Sequence, residues 1–442
     1  MPDPTPDTTP RSDTAYMDWP APALPRGRPF PAQLQLAADL LERIDDQGLA
    51  ADRTLQRALA GRREMGRRDR ERVRELTLFV LRQRNLLDWL LDDRGAGMAA
   101  RVAAALLLAN ALDPVLATSA GLDEKDIEAM AARQKTRFTD LPSEARFNLD
   151  PAAAGHWRSL SPAEPASLAQ ALQARAPIDL HVNPRRSDPA LLADELRGAG
   201  VETTAIEGLP LGLRVKGTAR LTRLPAFEQG RFEVQDAGSQ WVVRALAAQA
   251  GERVLDLCAG AGGKTLGLLD EAAGQLDLTA CDLHRERLDR LRERACRHGD
   301  RDLSLQALDA TRPIPDSLGR FDRVLVDAPC SGSGTWRRHP ELRWAAIDWD
   351  ALATTQRHLL EQGAAATRPG GRLVYATCSL WPAENEAVVE AFLAAHPGWV
   401  SIRTPIAGLT TEATTDRGWL RLRPDRDGCD GFFIARLQAP TD

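Results

Sequence analysis

From about Arg231 to the end of the chain, short runs of β-forming residues alternate with amphipathic helical segments. The helical segments include HRERLDRLRERACRHG, and the β runs, 7 or 8 residues long, are RVLDLCA, DLTACDL, LSLQALD, FDRVLVDA and RLVYATCS. This alternation is typical of a parallel, doubly wound sheet with helices on both faces. We therefore predict an α/β, Rossmann-like domain over residues 231–442. Ligands of such sheets bind at the carboxyl ends of the strands, and this edge should hold Gly260, Asp282, Asp309, Asp327 and Cys378.

A glycine-rich loop follows the first of these strands. VLDLCAGAGGKT leads from a buried strand through Gly260, Gly262 and Gly263 into a helix, whose first N–H groups can face a ligand. A P-loop NTPase is one alternative, because Gly263, Lys264 and Thr265 match the end of that motif. Its opening glycine, however, would fall at position 258, which is a cysteine. A Rossmann-type loop fits better.

Three carboxylates follow the loop at successive strand ends, at Asp282, Asp309 and Asp327. Asp282 comes about 20 residues after the loop, where a carboxylate accepts hydrogen bonds from ribose hydroxyls. Acids repel phosphates, so this edge suits an adenosine-bearing cation better than a polyphosphate. S-adenosylmethionine, a sulfonium without phosphates, is the predicted cofactor.

Two cysteines also lie at predicted strand ends. Cys330 follows Asp-Ala-Pro, and Cys378 stands in YATCSLWPAEN. Each thiol could instead be a small buried hydrophobe, or the two could form a redox pair, although CxxC spacing is absent. Two thiols beside an acid and a methyl-donor site favour methylation at carbon 5 of a pyrimidine. That carbon becomes nucleophilic after a thiolate adds to carbon 6.

Four ordered motifs resemble those of the RNA 5-methylcytosine methyltransferases, specifically the bacterial Sun/RsmB-type enzymes that modify small-subunit ribosomal RNA. They are DLCAGAGGKT, DAPCSGSGTWRRHPELRW, YATCSLWPAENE and DGFFIARL, and the resemblance extends from about Arg175 to the C-terminus. The resemblance implies that Cys378 is the nucleophile and that Cys330 assists product release. It implies that Asp327 lies beside both cofactor and target base and that Lys264 reaches the base. The implied S-adenosylmethionine-binding residues are Cys258, Ala259, Gly260, Ala261, Gly262, Gly263, Lys264, Asp282, Asp309 and Asp327.

Two departures from the family pattern stand out. Gly260 and Ala261 replace a common Ala-Pro pair, and His181 in IDLHVNPRR replaces an arginine that the family often has. The histidine puts an RNA contact at that strand in doubt.

The predicted organisation has four parts. A disordered, proline-rich tail (1–31) precedes an all-α, NusB-like RNA-binding domain (32–135), where apolar residues recur at three- and four-residue steps. A small mixed α/β segment that contacts RNA (136–230) then leads into a class I S-adenosylmethionine-dependent methyltransferase domain (231–442). Residues 52–85 carry 11 arginines and 5 acids, which is either an RNA-binding face or an ordinary solvated helix face.

RNA contacts are expected mainly in TWRRHPELRW, which interleaves cations with tryptophans. An Arg/Trp surface packed against its neighbour is the alternative for this stretch. The candidate RNA-binding residues are Arg337, Arg338, His339, Arg343 and Arg185.

The expected substrate is a cytosine of 16S ribosomal RNA, free or in early assembly particles. Transfer RNA as the substrate, and a noncatalytic ribosome-assembly factor that retains the fold, remain alternatives.

Six cysteines without regular spacing indicate neither a disulfide framework nor a metal site. With no long apolar run and a net charge of −5, we expect a cytoplasmic monomer that binds no membrane.

Overall fold

The computed structural model describes residues 19–148, 157, 165–217, 219–409 and 411–441. The chain divides into two compact units, Met1–Pro151 and Ala152–Asp442. Within the described ranges, no helix is both long enough and apolar enough to cross a membrane.

The described part of the first unit is helical. Buried leucines at helical spacing, including Leu34, Leu41, Leu76, Leu87 and Leu106, form the contacts among α1, α3 and α4. The predicted helical region is confirmed, and its helices continue past residue 135. They are α1 (Pro31–Gln47), α2 (Ala51–Ala60), α3 (Arg67–Leu91), α4 (Met98–Leu108), α5 (Pro114–Ser119), α6 (Glu124–Arg133) and α7 (Ser143–Phe147).

Helix α3 bends at Gln83, whose backbone is not helical (φ −123°, ψ 22°). The buried side chain of Asn148 bridges this bend, because its Oδ1 accepts from the Asn85 amide at 2.8 Å and its Nδ2 donates to the Arg82 carbonyl. The amide side chain thereby satisfies backbone groups that the kink frees.

Most of the tail predicted to be disordered, residues 1–18, lies outside the described residues. The rest of it packs on the helical unit. The Trp19 ring lies 5.7 Å from the Trp89 ring, centroid to centroid, and its Nε1 donates to the Thr136 carbonyl at 3.1 Å. A tryptophan that finds both an aromatic neighbour and a hydrogen-bond acceptor is held against the helices.

The second unit begins with a small antiparallel sheet whose strand order is β2-β3-β1-β4. Its core contains Leu180, Val182, Leu192, Leu213 and Phe232, all buried. This segment contains both strands and helices, in line with the mixed α/β prediction. The strands are β1 (Ile178–Val182), β2 (Thr203–Ile206), β3 (Leu209–Val215) and β4 (Phe232–Val234), and the helices before β5 are α8 (Pro165–Gln173), α9 (Pro189–Gly198), α10 (Pro225–Glu228) and α11 (Ala237–Leu246).

The larger sheet has the order β10-β12-β9-β8-β5-β6-β7, with β11 paired to β12. All five predicted parallel strands are present, so the Rossmann-like α/β fold is confirmed. The antiparallel β12, which extends the sheet beyond β9, was not predicted as a strand. The strands are β5 (Arg253–Asp256), β6 (Asp277–Asp282), β7 (Ser304–Ala307), β8 (Phe321–Asp327), β9 (Thr367–Thr377), β10 (Val400–Ser401), β11 (Leu420–Leu422) and β12 (Phe432–Gln438). The helices are α12 (Gly263–Glu271), α13 (Arg285–His298), α14 (Trp349–Ala366) and α15 (Glu386–Ala395).

Candidate active site

The glycine loop turns tightly between β5 and α12. Gly262 has a φ of +84°, and a Cβ built on it would lie 2.0 Å from Cδ1 of Leu291, so only glycine fits without movement. Gly260 also has a positive φ, and its amide donates to Oδ2 of Asp282 at 2.9 Å. The Ala261 carbonyl accepts from Arg294 at 2.6 Å. The loop is therefore held open by its neighbours rather than collapsed onto the sheet.

The next two predicted carboxylates lie at strand ends on the same edge. Asp282 is 5% exposed, and besides the Gly260 amide it accepts from the His284 amide at 2.8 Å. Asp309 follows β7, and hydrogen bonds from the hydroxyl and amide of Thr311 lower its pKa. The lowered pKa keeps Asp309 ionised near neutral pH, and both carboxyl groups have oxygens that can accept hydrogen bonds from hydroxyls.

Asp256, at the end of β5, was not among the predicted site residues. Burial raises its pKa to about 7, although the Thr265 hydroxyl donates to its Oδ2 at 2.7 Å. Its Oδ1 is buried and finds no hydrogen-bond partner among the described residues. The sequence offered one signal that Asp256 belongs to the site, namely its position just before the glycine loop. Burial also raises the pKa of the nearby Cys258 thiol, so this side chain stays uncharged in the loop.

Lys264 and Asp327 meet across the sheet edge, with Nζ 2.6 Å from Oδ2. Burial acts to lower the pKa of Lys264, but the charge of Asp327 and the hydrogen bond between the two outweigh it and raise the pKa. The charge of Cys378 adds to this effect. The ammonium also lies 5.2 Å from the centre of the Phe432 ring, on β12. A charged lysine and a carboxylate thus stand next to the thiols.

The two cysteines converge as the parallel strands predicted. Their Sγ atoms lie 3.3 Å apart, at the ends of the neighbouring strands β8 and β9. The pKa of Cys330 is well above its usual value, first because of its hydrogen bond to Cys378, then because of burial and the charge of Cys378. The geometry allows either sulfur to donate in this S–H···S hydrogen bond.

Two arginines of TWRRHPELRW have partners inside the fold, and their contact with RNA stays a prediction. Arg337 is 5% exposed and pairs with Asp430 at 2.8 Å. Arg343 is 4% exposed, with its guanidinium 4.6 Å from the centre of the Trp336 ring. Both cations pack inside the fold, because buried partners for them are supplied within the chain.

The other three candidates are partly exposed. Arg338 pairs with Asp430 and Asp236, yet 23% of its side chain is exposed. His339 is 42% exposed. Arg185 binds Asp300 at 2.7 Å, next to the end of α13. The ion pairs of the two arginines account for their positions, and contact of any of the three with RNA stays a prediction.

The neighbouring residue His181 is 3% exposed, with its Nε2 3.3 Å from the Asp270 carboxylate on α12. It joins the small sheet to the helix that follows the glycine loop.

Comparison with known proteins agrees with this geometry. Residues 243–438 match the family described as 16S rRNA methyltransferase RsmB/F. The ribosomal RNA small subunit methyltransferase B of Salmonella arizonae is 31% identical over 430 residues, which cover 91% of this chain and 97% of that protein. The chain belongs to the RsmB/F family.

This RsmB/F chain is therefore a methyltransferase, as its motifs predicted. A probable ribosomal RNA small subunit methyltransferase B of Synechocystis is 38% identical over 283 residues, covering 62% of this chain and 63% of that protein. The crystal structure of a methyltransferase homologue from Pyrococcus horikoshii superposes with a TM-score of 0.59 at 27% identity, covering 67% of this chain and 97% of that one.

Proposed function

We propose that this RsmB/F protein methylates carbon 5 of a cytosine in RNA, with 16S ribosomal RNA as the substrate and S-adenosylmethionine as the methyl donor. The observation that carries the proposal is the 3.3 Å approach of Cys330 and Cys378 beside the Lys264–Asp327 pair. The reaction needs a nucleophile, a base and a group that hydrogen-bonds the cytosine ring. Two thiols next to an ion pair can supply all three.

The residues of the loop edge fit S-adenosylmethionine. The glycine loop and the start of α12 offer backbone N–H groups, while Asp282 and Asp309 offer acceptors for hydroxyls. The buried Oδ1 of Asp256, which no described residue hydrogen-bonds, supplies a further negative pole beside the loop. When bound, S-adenosylmethionine supplies an electrophilic methyl group on a sulfonium, and acidic surroundings favour that cation.

Cys378 is the proposed nucleophile. Its sulfur adds to carbon 6 of the cytosine, and the ring electrons move so that carbon 5 becomes nucleophilic. The Asp327 carboxyl is placed to hold ring nitrogen 3 and the amino group, and Lys264 to stabilise charge as it develops on the ring. Carbon 5 then takes the methyl group.

Cys330 is the proposed base for release. Its hydrogen bond to Cys378 and the charge of Cys378 are two of the three largest causes of its raised pKa. Both disappear once Cys378 is bonded to carbon, so the pKa of Cys330 falls at the stage where a base is required. Cys330 then loses its own proton to solvent, and its thiolate takes the proton from carbon 5. The bond between carbon 6 and sulfur breaks, and Cys378 leaves as a thiolate.

The substrate class rests on the relatives, whose names describe ribosomal RNA small subunit methyltransferases. The target base must leave its stack to reach a cleft at a sheet edge, which favours single-stranded or distorted RNA. Ribosomal RNA in early assembly is the proposed partner, and the cytoplasm is the proposed place of action.

The test uses labelled S-adenosylmethionine with separate pools of deproteinised ribosomal RNA and transfer RNA. Wild type should place label in 5-methylcytosine of the ribosomal pool. Cys378→Ala should abolish transfer, and Cys330→Ala should accumulate a covalent protein–RNA adduct.

Label in the transfer RNA pool alone would assign the other substrate. Cofactor binding without transfer to either pool would contradict the proposal and favour a noncatalytic assembly factor. An adduct in Cys378→Ala instead of Cys330→Ala would reverse the roles of the two thiols.

A further inference from the structure

A buried carboxylate, Glu384, lies between β9 and α15, outside the set of predicted site residues. It is 2% exposed. Its Oε1 accepts from the Ser331 amide at 2.8 Å and from Gln356 Nε2 at 3.0 Å. Its Oε2 accepts from the Ser331 hydroxyl at 2.5 Å and from the Ser379 hydroxyl. All four donors are neutral, and burying a carboxyl group among neutral donors costs stability, so its presence calls for an explanation.

Three of the four donors come from the two loops that carry the thiols. Ser331 directly follows Cys330, and Ser379 directly follows Cys378. One carboxylate therefore bridges the residues next to both cysteines. Gln356, on α14, strengthens the bridge, because the same Nε2 lies 3.0 Å from the carbonyl of Pro329, which precedes Cys330.

The next residue, Asn385, holds the Cys378 loop from the other side. Its Oδ1 accepts from the Thr377 hydroxyl at 2.5 Å, and its Nδ2 donates to the Ser379 carbonyl at 2.9 Å. The residues before and after Cys378 are thus both fixed by one side chain. A backbone bond from the Gly334 amide to the Cys378 carbonyl, at 2.9 Å, ties the two loops together directly.

The parallel pairing of β8 and β9 brings the two loops to one edge, but it ends at Asp327 and Ala376, before either thiol. The distance between the sulfurs therefore depends on contacts of the two loops, and Glu384 makes three of these contacts. Misplacing a reacting group by about 1 Å can cost roughly 10²-fold in rate.

We propose that Glu384 is a positioning residue of the methyl-transfer reaction, which holds the Cys330 and Cys378 loops in register so that the two thiols act on the same base. This inference rests on the proposed function. The charge of Glu384 also contributes to raising the pKa of Cys330, after the effects of Cys378 and of burial. That contribution helps to keep Cys330 protonated until Cys378 has reacted.

The first experiment measures single-turnover methylation of RNA by the full chain. Glu384→Ala should lower the rate roughly 10²-fold while leaving the affinities for RNA and S-adenosylmethionine unchanged, because the loops move and the binding surfaces do not. Glu384→Gln should restore most of the rate, since its amide oxygen can accept from Ser331 and Gln356 and the serine hydroxyls can turn to accept from its nitrogen. The matched control is Glu386→Ala, which removes a carboxylate paired with Arg421 and should behave as wild type.

The ratio of trapped protein–RNA adduct to methylated product separates positioning from a general loss of stability. Release needs both thiols in register, so Glu384→Ala should accumulate adduct relative to product. A variant that is merely less folded would lower adduct and product together. A wild-type rate and ratio in Glu384→Ala, or an equal loss in Glu384→Gln and Glu384→Ala, would overturn the proposal.

A second measurement does not depend on methylation. Diamide oxidises two adjacent thiols to a disulfide, releasing two protons to the hydrazine that it becomes, and peptide mapping follows the Cys330–Cys378 pair. Wild type and Glu386→Ala should cross-link rapidly, and Glu384→Ala slowly. Equal cross-linking rates would refute the role of Glu384 even if wild type transferred no methyl group, whereas slow cross-linking with an inactive wild type would contradict only the proposed function.

Discussion

The stability of the second unit should depend on the charge of His298, which is wholly buried at the end of α13. Its Nδ1 lies 2.6 Å from Asp300 and its Nε2 lies 3.0 Å from Asp270. His181 and Arg185 also face Asp270, at 3.3 and 3.6 Å. Both ring nitrogens meet carboxylate oxygens, and the Arg185 guanidinium also lies 3.0 Å from Nδ1. The hydrogen bonds between the ring and the two carboxylates favour the imidazolium in the folded state.

The magnitude follows from the pKa of His298. Burial acts to lower it, but the hydrogen bonds and charges of Asp270 and Asp300 raise it from 6.5 to about 9. Each pKa unit corresponds to about 1.4 kcal/mol, so the charged ring stabilises the folded state by about 3 kcal/mol. Because the folded-state pKa lies above the unfolded value, this stabilisation is complete below pH 6.5 and is lost as the pH rises through about 9.

Urea unfolding followed by tryptophan fluorescence, at constant ionic strength, measures the effect in wild type and in His298→Gln. Glutamine has no proton to lose, so the free-energy difference between the two proteins should shrink by about 3 kcal/mol between about pH 6 and about pH 10. Comparing the two proteins at each pH cancels the titration of other groups. A difference that stays constant over this range would refute the argument that the folded state holds an imidazolium.

Three further substitutions test the glycine loop and the buried arginine. Gly262→Ala should lower the thermal midpoint and weaken S-adenosylmethionine binding, because a positive φ costs about 1–2 kcal/mol for alanine and Leu291 must also move. Gly260→Ala, with the same kind of φ but free space around its Cβ, should cost less, and an equal loss would contradict the role of Leu291. Arg337→Ala should destabilise the fold in urea unfolding by less than the roughly 3–5 kcal/mol that an unpaired buried charge costs, because Arg338 still pairs with Asp430. A loss of RNA affinity with unchanged stability would instead support the predicted RNA contact.

The amino-acid sequence alone determined the architecture of the catalytic part. Strand and helix periodicity is local, and five runs of β-forming residues became β5 to β9 in a parallel sheet. The carboxyl ends of parallel strands share one edge, so Cys330, Cys378 and Asp327 could be placed together before any distance was known. The resemblance of four motifs to a family was confirmed by the match of residues 243–438.

Only the tertiary structure decided which charged groups face solvent and which are bound internally. The partner of Arg337 is Asp430, 93 positions away in the chain, and no sequence pattern near TWRRHPELRW predicts this pairing. The same holds for the four donors that surround Glu384 and for Phe432 of β12, which lies under Lys264. Hydrophobic periodicity reports which face of an element is buried, whereas the pairing of buried polar groups depends on which distant elements meet, and that is settled only when the sheet and its loops pack.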